Sequence, residues 1–189
     1  MTKQYRMKYP SLSKSFEKPI KTVTRPYLYG AYGSNLNEKQ MKLRCPRAKK
    51  IGLVRLPDHE LVFRGVADME KNEGSEIMLG IWEITNKCEA ALDRYEGFPH
   101  LYNKKFFDIN ITYFDAVYDR SETSGISLLP KVRLMTYQMT NQSETYRPDT
   151  GYLQSIVNGF CDFEIPKDSL ETALANSYLR ETTNVNWRG

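Results

Sequence analysis

Hydrophobic positions come in two rhythms along this chain. From Tyr27 to Tyr32 the run is aromatic-rich and ends at Gly33-Ser34, which predicts a buried strand entering a tight turn. After Leu36 the segment Asn37 to Met41 predicts a short helix capped by Asn37 and stopped by Pro46. Ile51–Leu56 and Glu60–Val66 read as two strands joined by a turn at Pro57-Asp58, and Glu76–Ile84 as a further strand. The clearest helix is Asn86–Tyr95. Asn86 is set to cap it, with Glu89 completing a capping box; Cys88, Ala91, Leu92 and Tyr95 share one face, and Gly97 ends it. Leu101–Tyr118 is β-prone, Asp119–Gly125 is a polar loop, and Lys131–Thr140 returns as a strand. Gly151–Gly159 and Ser169–Tyr178 read as helices, with Pro166 at the start of the second. Strands joined mainly by turns, with short helices, predict an α+β fold around a small mixed or closed sheet, not a doubly wound one.

Composition changes this picture little; charge distribution changes it more. The chain has 189 residues, with 8 Phe, 13 Tyr and 2 Trp, which is aromatic mass enough for one domain's core. No apolar run is long enough to span a bilayer, and no apolar stretch follows the N-terminal basic residues, so neither a membrane protein nor a secreted one is expected. The formal charge of +4 is unevenly placed. Residues 1–26 hold seven basic side chains and one acid, a net of +6, while the other 163 residues carry 20 basic and 22 acidic groups, a net of −2. Pro10 and Pro19 interrupt the weak helical spacing of this arm, so it is expected to be extended or flexible. Its charge suits solubility or a protein partner; nucleic acid is the less favoured contact. Cys45, Cys88 and Cys161 form no CxxC pair, and with His59 and His100 alone they give no metal pattern; reduced thiols in a cytoplasmic protein are expected.

Two segments can carry chemistry. In Tyr32-Gly33-Ser34-Asn35-Leu36 a strand ends, the chain turns on glycine and a helix follows. Such a turn gathers backbone N–H groups at one spot, which suits an anion or a carbonyl oxygen, although a plain glycine turn with a helix cap has the same local signature. In Leu92-Asp93-Arg94-Tyr95-Glu96-Gly97-Phe98-Pro99, Glu96 falls in the last helical turn, where the helix dipole disfavours a carboxylate. Aromatic neighbours add desolvation, and both effects raise a carboxyl toward the range useful for moving protons. A surface glutamate at a frayed helix end is the alternative.

Together, in this order, the two segments resemble the gamma-glutamylcyclotransferase family, including its gamma-glutamylamine cyclotransferase-like members. The likeness runs from Tyr29-Gly30-Ala31-Tyr32-Gly33-Ser34-Asn35-Leu36 through Arg44-Cys45-Pro46-Arg47-Ala48, Gly52–Pro57, Gly65–Asp68 and Gly80-Ile81-Trp82 to Leu92–Gly97, Tyr102, Tyr152 and Gly159. It covers roughly residues 27–175. It implies a small β-barrel flanked by helices, in a domain spanning 27–178 with a tail at 179–189. It also implies an intramolecular reaction without cofactor or metal, in which the α-amine of a γ-glutamyl group attacks its own side-chain amide. 5-Oxoproline forms and an amine or amino acid leaves. On this resemblance Glu96 is the general base and acid. Gly33, Ser34 and Asn35 hold the γ-glutamyl end, and Tyr32, Leu36 and Tyr102 complete the pocket. The arm 1–26 and the residues from Leu179 have no counterpart in the family, and the segment Asp115–Pro130 is longer than its connecting hairpin. They leave open a second reading, a regulatory binding module on the same fold.

Overall fold

The structure, a computed structural model, describes residues 27–110, 114–115, 131–142 and 144–185. The basic arm, the polar loop at 119–125 and the end of the tail lie outside the described residues. Six strands, β1 (Tyr27–Ala31), β2 (Lys49–Phe63), β3 (Ala67–Ile84), β4 (Tyr102–Asn110), β5 (Phe114–Asp115) and β6 (Lys131–Met139), form one mixed sheet in the order β4-β6-β1-β3-β2-β5. Only the central β1–β6 pair is parallel; the other pairs are antiparallel. Four helices, α1 (Glu38–Arg44), α2 (Asn86–Tyr95), α3 (Thr150–Asp162) and α4 (Asp168–Val185), complete the α+β fold. No helix among the described residues is long and apolar enough to cross a membrane.

The expected barrel does not form: among the described residues the sheet is open, with β4 and β5 at its edges. Closure requires one edge to hydrogen-bond the other along its length. Here β5 meets β2 only at Leu53 and Val54, and β4 spends its ladder on β6. Helices cover what closure would have buried. α4 lies on β2, and Phe163, just after α3, meets the Trp82 ring edge-on at 5.3 Å. The core between the layers is built from Phe63, Met69, Leu79, Ile81, Leu134, Ile156 and Phe163, all essentially inaccessible to solvent.

Four local expectations are corrected. Pro57-Asp58 is not a hairpin turn. β2 runs straight through it as a single strand paired to β3, and the register shifts between Pro57 and His59. Asp58 takes a left-handed backbone, φ 56°, and its Oδ1 accepts from the amide of Gly74, itself at φ 82°, across the irregularity. A turn-type dipeptide thus makes a bulge, because both neighbours still find ladder partners. The reversal comes instead at Arg64-Gly65-Val66, with Gly65 at φ 81°. At α2 the cap is Thr85, whose hydroxyl accepts from the Cys88 amide; Asn86 is already helical and Glu89 instead bonds Lys104. Of the residues expected on that helix's inner face, Cys88 and Leu92 are buried, whereas Tyr95 is about half exposed. Lastly, α4 continues to Val185, past Tyr178 and into the stretch expected to be tail.

Candidate active site

The site lies where β1 ends. The chain leaves Ala31, passes Tyr32 and Gly33, and makes one 3-10 turn over Ser34–Leu36 before Asn37 caps α1 through a bond from the Gln40 amide. The first bond of that turn runs from the Leu36 amide to the Gly33 carbonyl, 3.0 Å. The amides of Ser34 and Asn35 therefore precede Leu36, the first donating amide of the turn, as at any helical start. α2 brings Glu96 to the same place. Its amide donates to the Leu92 carbonyl at 2.8 Å, and Gly97 follows at φ 62°, the left-handed ending the sequence predicts.

These two chain segments face each other across a cavity of about 300 Å³, lined by Tyr29, Tyr32, Gly33, Ser34, Asn35, Val66, Ala67, Tyr95, Glu96, Leu101, Tyr102, Tyr137, Met139 and Tyr152. Asn35 Nδ2 donates to Glu96 Oε1 at 2.7 Å and to the Tyr29 hydroxyl at 2.8 Å. Burial pushes the Glu96 carboxyl up to about 7, against the opposing pull of the Asn35 bond and the Arg44 charge. The sequence argument reached this direction through the helix dipole and aromatic desolvation; in the structure it is burial that raises it.

Of the expected site residues, Tyr32, Gly33, Ser34, Asn35, Glu96 and Tyr102 all line this one cavity. Leu36 is not among the residues lining it. Its side chain is fully buried beneath the turn, against α3, where a Cβ on Gly159 would sit 2.5 Å from Leu36 Cβ.

Comparison with known proteins follows the same segments. The family profile described as Gamma-glutamyl cyclotransferase, AIG2-like matches residues 29–153. The chain belongs to this gamma-glutamyl cyclotransferase family. It is 27% identical over 152 residues to the Bos taurus protein named Gamma-glutamylcyclotransferase, covering 74% of this chain and 73% of that one. The Homo sapiens protein of that name is 32% identical over 93 residues, 41% of this chain and half of the relative. Among solved structures, one titled Gamma-glutamyl cyclotransferase superposes with a TM-score of 0.62 at 22% identity over 78% of this chain and 85% of the other, a likeness of fold. A human protein titled uncharacterized protein loc79017 gives the same TM-score at 23% identity, again over 78% and 85% of the two chains.

Within this family frame, a tyrosine shell that sequence reasoning largely missed becomes legible. Tyr32 donates to the Tyr137 carbonyl at 2.7 Å, and Tyr102 to the Ala67 carbonyl at 2.9 Å. The Tyr152 hydroxyl accepts from the Ala67 amide at 3.1 Å, and Tyr137 donates to Asp93 Oδ1 at 2.6 Å. Burial pushes the Tyr29, Tyr32, Tyr102 and Tyr137 hydroxyls well up, and Tyr152 to about 12, so the shell stays neutral around Glu96. Tyr137 lies in a β run and Tyr29 in the family motif, but nothing local marks either as facing a cavity; the parallel β1–β6 pairing brings them together, ring to ring at 5.9 Å. His59 sits elsewhere, half-buried, with Nδ1 2.8 Å from the Pro57 carbonyl and its ring edge-on to Phe107.

Proposed function

We propose that this chain cyclises a γ-glutamyl group to 5-oxoproline and releases the amine or amino acid formerly bound to it. The observation that carries the reading is the 2.7 Å bond between Asn35 of the turn and a Glu96 carboxyl whose proton affinity is set near neutrality, within one cavity. A group half-ionised near pH 7 can take a proton and return it. In the scheme, Glu96 accepts a proton from the substrate's α-ammonium. The freed amine attacks the γ-carbonyl carbon, and the carbonyl π electrons move to oxygen. The amides of Gly33, Ser34 and Asn35 stabilise that oxyanion. Protonated Glu96 then delivers its proton to the amide nitrogen, the C–N bond breaks as the ring carbonyl re-forms, and the ring nitrogen gives up its second proton, which the departing amine takes up to leave as an ammonium. Every atom of the lactam comes from substrate, so the protein's further task is to fold the γ-glutamyl chain into its reactive shape. The tyrosine shell supplies that confinement.

The test is release of 5-oxoproline from a panel of γ-glutamyl amines, amino acids and peptides. Glu96→Gln keeps the hydrogen-bonding shape but cannot carry the proton, and is expected to lower kcat by about 10²–10⁴-fold. Equal turnover by the two proteins would remove Glu96 from the mechanism. The wild-type kcat/KM is expected to fall below an acid limb near pH 7, where Glu96 gains its proton and can no longer serve as base.

A further inference from the structure

We propose that Arg44, at the end of α1, is a positioning residue that acts on Glu96 through the carboxamide of Asn35. This rests on the cyclisation reading above, which gives Glu96 its role. Arg44 Nη1 donates to Asn35 Oδ1 and, at 3.3 Å, to Ser34 Oγ; Nη2 donates to Gln40 Oε1 at 2.6 Å. The guanidinium lies flat on the Tyr95 ring, 3.6 Å from its centre, and the Tyr95 hydroxyl closes back on Ser34 Oγ at 3.2 Å. The arginine is thus fixed by a fork of bonds and a stacked face, a geometry that an ammonium group cannot copy.

The consequence falls on Asn35. A carboxamide can turn over and exchange its oxygen for its nitrogen, but a guanidinium has only donors, so the oxygen must face Arg44. Both Nδ2 hydrogens then point into the cavity, one to Tyr29 and one to Glu96. The Asn35 backbone is pinned as well, its carbonyl accepting from Trp82 Nε1 at 3.0 Å. Every hydrogen-bonding group of this side chain is committed, and the orientation of the donor on Glu96 is decided by a residue that does not line the cavity. The amide also keeps the cation one residue away from the carboxylate. A direct guanidinium contact would hold Glu96 ionised and poor at returning a proton. Among the described residues Arg44 is the charge that bears on Glu96, since the tyrosines around the cavity stay neutral.

The test compares Arg44→Met, Arg44→Lys and wild type by steady-state kinetics on a turned-over γ-glutamyl substrate, and by side-chain carboxyl NMR titration of Glu96 in the full chain. Arg44→Met frees the amide to turn over and removes the charge. It is expected to lower kcat by about tenfold to a hundredfold with little change in KM, and to move the Glu96 midpoint upward by about one unit. Arg44→Lys keeps the charge and loses the fork, so its kcat falls with that of Arg44→Met while its midpoint stays nearer wild type. Wild-type kcat in Arg44→Lys would reduce Arg44 to a charge and overturn the positioning role, as would an unmoved midpoint in Arg44→Met. Thermal melting identifies a variant that fails to fold, and Arg44→Lys, which retains length and charge, then carries the decision. The NMR arm needs no turnover, so failure of the cyclisation reading shows separately, as an active Glu96→Gln.

Discussion

Two arginine–carboxylate arrangements, one at the β2–β3 reversal and one at the end of α1, are wired differently. At the β2–β3 reversal, Arg64 touches its acids directly: Nε donates to Asp68 Oδ2 at 2.9 Å and Nη2 to Glu70, while Nη1 reaches the Glu144 carbonyl at 3.2 Å. Asp68, fully buried, also accepts from the Met139 amide at 2.9 Å and from Gln142 Nε2 at 3.2 Å. At the end of α1 an amide stands between Arg44 and Glu96. The difference separates a strut from a tool. A carboxylate gripped by its arginine, by the Met139 amide and by the Gln142 side chain ties β3 to the end of β6. One insulated by a neutral amide keeps a proton affinity of about 7.

The comparison can be broken by exchanging the expected phenotypes. The largest effect should be on turnover, with Glu96→Gln losing two to four orders of magnitude while remaining folded. If Asp68→Asn showed that loss with unchanged stability, the roles of the two arrangements would be reversed. The next largest is on stability. Asp68→Ala leaves Arg64 buried without its main partner and is expected to cost about 3–5 kcal/mol in chemical denaturation. A change within 1 kcal/mol would mean that the pair is not a strut. Gly159→Ala comes third. The added methyl would stand 2.5 Å from Leu36 Cβ and 2.7 Å from the Asn37 amide nitrogen, so α3 must back away from the turn. About 1–3 kcal/mol of stability should go, together with part of the activity, since the same turn carries Asn35.

The smallest effect sharpens the contrast through pH. Glu96 binds its proton more tightly when folded, about 7 against an ordinary 4.5. Between those values the folded chain holds a proton that the unfolded chain has lost, so this group's contribution to stability falls as pH rises from 4.5 to 7. Glu96→Gln removes that penalty. It should therefore be more stable than wild type at pH 8, on the order of 1–2 kcal/mol after allowance for solvent screening, and should show no such gain near pH 4. Equal pH dependence in the two proteins would mean that burial does not hold the carboxyl where the mechanism needs it.

How much of this was legible in the chain follows from distance along it. The turn at Gly33–Leu36 and the helix end at Glu96 announce themselves through glycine, caps and an acid in an unfavourable place, all within a few residues. Arg44 carried no such mark: its use depends on Tyr95, which arrives from another helix, and on an amide whose orientation only three-dimensional neighbours decide. Asp68 sat inside the matched motif Gly65–Asp68, yet its meaning came from Met139 and Gln142, more than seventy residues later. Pro57-Asp58 misled for the opposite reason. Local turn chemistry was present, but a long ladder on either side absorbed it as a bulge. Leu36, part of the motif, has its side chain packed beneath the turn.

The parallel contact between β1 and β6 sets when the site comes into being. Tyr32 bonds the Tyr137 carbonyl, and Thr136 Oγ1 donates to the Gly30 carbonyl at 2.7 Å, across 105 and 106 residues of intervening chain. Contacts that close so long a loop form late, because the entropy of the loop is lost before the contact repays it. During synthesis Asn35, Arg44 and Glu96 all emerge well before β6. A growing chain therefore holds Glu96 beside an unfinished wall, and under the proposed reaction turnover should begin only once the strand that completes the cavity has left the ribosome.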